Sequence, residues 1–128
     1  MNNPFFHREY PTTRMRRLRQ YKWSRNLFSE HSLSPSDLIL PVFVIEGENQ
    51  SIQIPSMPGV KRLSIDLLLE KAKLVADLGI PVIAMFPVID KSKRTENAAE
   101  SINENNLICR AIREVKKNVP NIGIMCDV

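Results

Sequence analysis

The residue of this chain best suited to chemistry is Asp127, which closes an apolar run that begins at Ile122. A carboxylate at the end of a buried strand can bind a metal ion, accept a proton or orient an ammonium group. The same residue type also commonly caps a helix that follows a strand. Spacing alone leaves both interpretations of Asp127 open.

The histidines and cysteines point to no catalytic or metal-binding motif. His7 and His31 lie in or beside the N-terminal segment, away from the predicted strand ends, so we do not expect a histidine-based triad. Cys109 and Cys126 are far apart, with no CxxC spacing and no nearby histidine. We therefore expect neither a zinc module nor a disulfide framework, and we interpret both cysteines as small buried hydrophobic residues.

Nucleotide chemistry is also disfavoured. No glycine-rich phosphate-binding motif follows any predicted strand, and the chain has only four glycines. Lys91 and Lys93 are candidates for contacting an anionic ligand, but a solvated group of charges is the more common meaning of such a cluster.

Three apolar runs and two amphipathic stretches must position these residues. The runs at residues 38–45, 80–86 and 122–128 predict buried strands. A helix is expected from Ile65, with Ser64 as its N-cap and Gly79 just past its end, and a second over residues 108–119. The order β, α, β, α, β predicts a parallel sheet, either an open doubly wound sheet or part of a (β/α)8 barrel. In both folds the catalytic and binding residues lie at the carboxyl ends of the strands. Glu46, the loop after Phe86 and Asp127 occupy such positions.

Two details of the first strand region carry further expectations. Pro41 lies within the first apolar run and has no N–H to donate, so its nitrogen must face no neighbouring strand or lie near the strand's start. Prolines and glycines mark the segment between Glu46 and Ser64 as irregular loop.

The positive charge is concentrated at the N-terminus. Residues 1–25 hold seven basic residues and one acidic residue, a net charge of +6, so the rest of the chain, at −2, is mildly acidic. The arm, residues 1–32, has no sustained hydrophobic period, and we do not expect it to fold by itself. Its arginines can bind nucleic acid or an acidic membrane surface, or dock on another subunit, and composition favours docking or simple solvation.

Composition is typical of a globular protein. Hydrophobic residues make up 43% and charged residues 25% of the 128 residues, which excludes a disordered or fibrous chain. No apolar run approaches the roughly 18–20 residues that cross a bilayer, so we expect a cytosolic protein.

Six segments of the chain form a recognisable set: YPTTRMRRLR (10–19), LSPSDLILPVFVIEG (33–47), IPSMPGVKRLSID (54–66), LGIPVIAMFPV (78–88), RAIREVK (110–116) and the terminal DV. In these segments the sequence resembles one enzyme family, porphobilinogen synthase, also called delta-aminolevulinic acid dehydratase. The arm is similar to that of bacterial members. The resemblance therefore covers essentially the whole chain.

The resemblance implies an α/β fold, with the first three strands and two helices of a (β/α)8 barrel in residues 33–128, preceded by an extended oligomerisation arm in residues 1–32. A complete barrel takes about 250 residues, so we expect this chain to be the first third of one. The family is a hydro-lyase that condenses two molecules of 5-aminolevulinate to porphobilinogen with loss of two waters, in tetrapyrrole and haem synthesis. Its two Schiff-base lysines lie on later strands, and that role is not transferred to Lys61, Lys91 or Lys93. We expect residues 1–128 alone to be inactive.

The resemblance also assigns individual residues. Asp127 matches the family's active-site aspartate, and Phe86 matches a residue that faces the substrate pocket. The family wraps its arm around a neighbouring subunit, forming dimers that assemble into octamers, so Arg14, Arg16, Arg17 and Arg19 would meet protein rather than nucleic acid or membrane. Magnesium or zinc is implied, with magnesium slightly favoured by the bacterial type of arm, and no ligand for it is identified in this chain.

Two other hypotheses remain at this point. One is a small open α/β binding module whose basic arm docks on a polyanionic partner, with salt-dependent affinity and no binding of 5-aminolevulinate. The other is a gene remnant with no activity.

Overall fold

The computed structural model describes residues 10–11 and 13–126. The chain divides into two units, residues 1–33 and residues 34–128. Within the described residues, no helix is both long enough and apolar enough to cross a membrane. His7 and Asp127 lie outside the described residues.

The first unit consists of short helical segments. A 3-10 turn at Arg17–Arg19 is followed by helix α1, Lys22–Leu27. The Arg25 guanidinium donates to the Arg19 carbonyl at 3.1 Å and so joins the two segments. Ser24 is the one buried residue among the described positions 10–33. The described part of this unit, residues 10–11 and 13–33, therefore has local backbone order but no hydrophobic core.

The second unit is a five-stranded sheet with two helices. Its elements are β1 (Ile39–Val44), β2 (Ser51–Gln53), β3 (Lys61–Leu63), α2 (Ile65–Asp77), β4 (Val82–Pro87), α3 (Leu107–Asn118) and β5 (Gly123–Cys126), with 3-10 turns at Pro35–Asp37 and Lys91–Lys93. The strand order is β2-β3-β1-β4-β5. Every pairing is parallel except that of β2 with β3.

The three predicted strands and two predicted helices are all present, and the segment expected to be irregular loop differs. Residues 51–53 and 61–63 form an antiparallel hairpin, and β3 also pairs in parallel with the end of β1. The strands have three residues each, and all of β2 is exposed. Neither strand presents an apolar alternation, because β3 is ordered by pairing with β1, and β2 by pairing with β3, rather than by a buried face.

The two faces of the sheet have different environments. Val42, Val44 and Met85 belong to a buried core that also includes Leu68, Ala72 and Val75 of α2 and Leu107, Ala111 and Val115 of α3. Because successive side chains of a strand alternate, Phe43 and Phe86 lie on the face away from this core. The apolar strand residues thus divide between a helix-covered face and a second face.

The position of Pro41 agrees with the expectation for its nitrogen. The Val44 carbonyl accepts from Val88 on the β4 side, and the next N–H, of Ile45, donates to Leu63 on the β3 side. Backbone groups alternate sides along a parallel strand, so Pro41 faces the β3 side. Since the pairing of β1 with β3 begins only at Phe43, no described strand pairs with β1 at the Pro41 nitrogen on that side.

The helix boundaries follow the sequence, with one difference at α2. Gly79 has φ +78, as expected of a residue that ends a helix in the left-handed region. Ser64 occupies the N-cap position, but its side chain does not cap the helix. Its hydroxyl instead bonds the Gln50 backbone, accepting from N–H at 2.9 Å, and so joins α2 to the residue before β2.

Candidate active site

The carboxyl ends of the parallel strands form one edge of the sheet. β1, β4 and β5 run in the same direction and end at Val44, Pro87 and Cys126. Asp127 is the residue after Cys126 and lies outside the described residues. Among the described residues, this edge consists of the ends of β1, β3 and β4 and the loops that follow them.

Phe86 stacks beside Phe43 at this edge. The two residues are register partners on β4 and β1, their ring centroids are 5.7 Å apart, and their planes are tilted by 35°. Both are half-buried and lie on the face away from the helices. Phe86 was singled out from the sequence and Phe43 was missed, because residues 38–45 form a continuous apolar run in which no alternation distinguishes Phe43 from Val42 and Val44.

Arg62 on β3 is the third residue in this row. It is the register partner of Phe43 and therefore shares a face with both phenylalanines. Among the described residues its Nε is buried and has no hydrogen-bond partner. A buried donor without a partner costs about 1–3 kcal/mol. No sequence pattern marked Arg62, because its position follows from the register of a hairpin that was not predicted.

Glu46, two residues after β1, is the centre of an ion-pair cluster. Its Oε1 accepts from Arg110 Nη2 at 2.5 Å and lies 3.6 Å from Lys93 Nζ. Lys93 also approaches Glu100 at 3.5 Å. The hydrogen bond from Arg110 lowers the pKa of Glu46 below its ordinary value, and partial burial opposes this. The cluster ties the end of β1 to the β4–α3 connection and to α3.

The two lysines of the connection differ. Lys93 pairs with two carboxylates, which is the charge-cluster interpretation given to it above. Lys91 is exposed within the 3-10 turn. Asp90 caps that turn by accepting from the Ser92 N–H at 2.8 Å.

A cavity of about 670 Å³ lies between the end of β4 and the start of α3. Phe86, Ile89, Ile102 and Cys109 are among its lining residues. Cys109 is a free thiol, and both cysteines are partly buried, in agreement with the apolar role expected of them. Asn106 caps α3 by accepting from the Cys109 N–H at 2.8 Å.

The described residues do not fit a metal site. Over positions 10–11 and 13–126, no three or more His, Cys, Asp and Glu side chains are grouped so as to hold an ion. His31 is exposed in the first unit. The implied magnesium or zinc ion therefore has no ligand set in this part of the chain.

The four arginines assigned to the arm are all exposed, and one of them contacts an aromatic ring. The guanidinium carbon of Arg14 lies 5.6 Å from the centroid of the Tyr10 ring. Arg16, Arg17 and Arg19 are exposed around the 3-10 turn. Tyr21 and Trp23 stack with centroids 6.2 Å apart, and Trp23 remains 67% exposed. The unit thus presents cations and aromatic rings on its surface.

Known proteins resemble this chain along most of its length. A family model described as delta-aminolevulinic acid dehydratase matches residues 12–128. The delta-aminolevulinic acid dehydratase of Bradyrhizobium diazoefficiens is 48% identical over 115 residues, which are 90% of this chain and 33% of that protein. The Chlamydia pneumoniae enzyme of the same name is 37% identical, over 90% of this chain and 35% of its own length. The chain thus spans about a third of the length of these relatives.

A solved structure gives the same result. The delta-aminolevulinic acid dehydratase (porphobilinogen synthase) of Toxoplasma gondii ME49, in complex with the reaction product porphobilinogen, matches with a TM-score of 0.83 and 38% identity. The match covers 91% of this chain and 33% of that one. It confirms the predicted fold class, since the α/β sheet corresponds to part of the enzyme's barrel. By its sequence and by its fold, the chain belongs to the delta-aminolevulinic acid dehydratase family.

Proposed function

We propose that this chain supplies the first part of the barrel of a 5-aminolevulinate dehydratase, the hydro-lyase that condenses two 5-aminolevulinate molecules to porphobilinogen and releases two waters. The observation that carries the proposal is the family match over residues 12–128. The Toxoplasma structure supports porphobilinogen as the product of the proposed reaction, because it is a complex with the reaction product porphobilinogen. The Schiff-base lysines belong to later strands in this proposal, so residues 1–128 alone form no product.

Asp127 is proposed as the catalytic carboxylate of this part of the barrel. Met85 pairs with Cys126 and Ala84 with Met125, so the face of Phe86 carries every second position of β5. Asp127 follows Cys126 directly in the sequence, and Cys126 ends β5 at the edge of the sheet where β4 ends. There a carboxylate hydrogen-bonds a substrate ammonium group or exchanges a proton with the substrate. The family uses a metal ion. The role proposed for Asp127 does not depend on a metal ligand among the described residues.

The first unit is proposed as an oligomerisation arm. Its exposed apolar side chains include Trp23 at 67% and Leu27 at 71%, and they flank the arginine-rich turn. Aromatic residues and arginine are the usual anchors of protein interfaces. We propose that these groups dock on another subunit of a cytoplasmic homo-octamer built from dimers.

The experiment joins residues 1–128 to the part of the Bradyrhizobium relative that follows its matched segment. Porphobilinogen formation from 5-aminolevulinate, verified by mass, is expected for the fused protein and not for residues 1–128 alone. A folded fused protein without activity, combined with salt-dependent binding of polyanions by residues 1–128, would support the binding-module alternative instead.

Asp127→Asn in the fused protein tests the catalytic assignment. General acid–base roles contribute about 10²–10⁴-fold, so we expect kcat to fall by at least about 100-fold. Asp77→Asn is the matched control, because Asp77 is exposed at the end of α2 and lies at the opposite edge of the sheet. Equal activity of the two variants would remove Asp127 from the mechanism.

A further inference from the structure

The first unit contains a surface cavity of about 1000 Å³ around its 3-10 turn. Four arginines line it, together with Tyr10 and Gln20; the arginines are Arg14, Arg16, Arg17 and Arg19. Among the described residues, no acidic side chain lines it. We call it the arginine cavity, because its walls carry several positive charges and no described negative charge.

The guanidinium groups of these four arginines have unused donors. All four side chains are exposed, and none of them hydrogen-bonds or forms an ion pair with another described residue. Arg25 differs, because its guanidinium donates to the carbonyls of Arg19 and Gln20 and so stabilises the local fold. No Asp or Glu occurs in the sequence between residues 10 and 29. The charges around the cavity therefore repel one another unless an anion from outside this segment compensates them.

The backbone and one aromatic ring gather these arginines around the cavity. The guanidinium carbon of Arg14 lies 5.6 Å from the centroid of the Tyr10 ring, within the range of a cation–π contact. In the 3-10 turn, the Arg19 N–H donates to the Arg16 carbonyl at 2.9 Å. The arginines are thus brought together before a ligand binds, which lowers the entropic cost of binding.

A compact anion with several phosphate groups fits these features. Guanidinium groups bind phosphate oxygens through paired hydrogen bonds, and a chain of phosphates carries several negative charges in a small volume. Proteins that bind single-stranded nucleic acid stack its bases on aromatic rings, and the one ring in the described lining, Tyr10, is engaged with Arg14. Helices that bind an anionic membrane surface present a continuous apolar face, which the three residues of the turn do not provide.

We propose that the arginine cavity is a binding site for a small oligophosphate anion, which Arg14, Arg16, Arg17 and Arg19 hold through their guanidinium groups. The proposal goes beyond the enzymatic function proposed above and does not rest on it. Trp23 and Leu27, the apolar side chains proposed to dock on another subunit, do not line the cavity. Anion binding and apolar docking therefore use different side chains of the first unit.

The experiment is a calorimetric titration of the 128-residue chain with tripolyphosphate in magnesium-free buffer, followed by NMR of the arginine Nε–H groups. We expect saturable binding of one anion per chain and shifts of the signals of the four cavity arginines. The Nε–H of Arg113, whose guanidinium donates to the Glu104 carbonyl at 2.7 Å, is the internal reference and should move little. The absence of saturable binding, or shifts of equal size at all arginines, overturns the proposal.

Two double variants separate a specific site from a general effect of charge. Arg16→Gln combined with Arg17→Gln should weaken tripolyphosphate binding at least about tenfold, because two charge-assisted donors are lost. Lys71→Gln combined with Lys73→Gln removes the same charge from exposed positions of α2. The affinity of this control should change less than about twofold, because salt screens exposed charges outside the site. Equal weakening by both double variants would contradict a site in the arginine cavity.

Other phosphate compounds test the class of ligand. ATP should bind no more tightly than tripolyphosphate, because the described lining offers its base no free aromatic ring. Tighter binding of ATP, or of a thymidine trinucleotide with three phosphates, would assign the cavity to a nucleotide or nucleic acid and overturn the proposal. Binding to phosphatidylserine vesicles without binding of free tripolyphosphate would overturn it in favour of a membrane surface.

The anion site and the enzyme assignment fail separately. An active fused protein that does not bind tripolyphosphate refutes the anion site and leaves the enzyme assignment intact. Tripolyphosphate binding by a fused protein that makes no porphobilinogen refutes the enzyme assignment and leaves the anion site.

Discussion

Arg110 of α3 donates a hydrogen bond of 2.5 Å to Glu46, which precedes it by 64 residues. The contact links the residue just beyond β1 to the first turns of α3, and Lys93 joins it from the intervening connection. Both side chains are more than 40% exposed, at 41% for Arg110 and 47% for Glu46. Its contribution to stability is therefore limited by solvent screening, and its main effect is to position the loop at the carboxyl edge.

Glu46→Gln should lower the free energy of unfolding by about 0.5–1 kcal/mol, the range of a partly exposed ion pair. A double-mutant cycle with Arg110→Gln, measured by urea unfolding, should give a coupling energy of similar size. Glu48→Gln is the control, because Glu48 is exposed and forms no ion pair within the described residues. A coupling energy of zero would show that the contact between Glu46 and Arg110 does not stabilise the folded chain.

The stability that Glu46 contributes should depend on pH in one direction. The Arg110 hydrogen bond lowers the pKa of Glu46 in the folded chain, whereas a glutamate in an unfolded chain has a pKa of about 4.3. The contribution is therefore fully present above that value and is lost as the pH falls through the folded-state pKa. The difference in unfolding free energy between the wild type and Glu46→Gln should shrink between pH 6 and pH 3. A difference that grows on acidification would contradict the assignment.

Ser64→Ala should loosen the hairpin that carries Arg62. Ser64 is fully buried and its hydroxyl accepts from the Gln50 N–H at 2.9 Å, so the substitution leaves this backbone donor without its acceptor. A loss of about 1–2 kcal/mol is expected, together with faster hydrogen exchange at Gln50. Ser56→Ala, at an exposed position of the same loop, should change stability by less than about 0.5 kcal/mol. Equal effects of the two substitutions would show that the Ser64 bond does not hold the hairpin.

Gly123→Ala should destabilise the pairing of β5 with β4. A Cβ at this position would lie 3.0 Å from Val82 Cγ2 and 3.2 Å from the Pro81 carbonyl oxygen. The backbone oxygen cannot rotate away, so the strands must separate slightly, at a cost of about 1–3 kcal/mol. Thermal unfolding of the variant measures this cost, and an unchanged midpoint would show that the strand end adjusts freely.

The parts of the fold that came from local patterns were predictable from the sequence. The helical spacing of apolar residues such as Ala111 and Val115 predicts α3, because a helix that buries one side repeats apolar residues every three or four positions. The continuous apolar runs predict β1, β4 and β5, because a strand buried on both faces is apolar at successive positions. The strands β2 and β3 left no such pattern, since three-residue strands held by pairing, β3 with β1 and β2 with β3, need no apolar alternation.

The candidate site was predictable only where it follows a strand end. Glu46 and the loop after Phe86 were placed on the functional edge because the carboxyl ends of parallel strands meet there, whereas Phe86 itself was singled out only by the family resemblance. The pairing of Glu46 with Arg110 crosses 64 residues, and the neighbourhood of Arg62 and Phe43 depends on the register of β3 with β1. Such relationships arise from tertiary structure, and no spacing within one segment encodes them.

The strand order has a consequence for how the chain is made. β1, the first strand to leave the ribosome, lies in the middle of the sheet, with β3 on one side and β4 on the other. β5 then adds to β4. Each parallel pairing therefore joins a newly synthesised strand to one that is already present, so the order of synthesis allows the sheet to widen outward from β1. Only the short edge strand β2 depends on a strand made after it, because it pairs with β3 alone among the described strands.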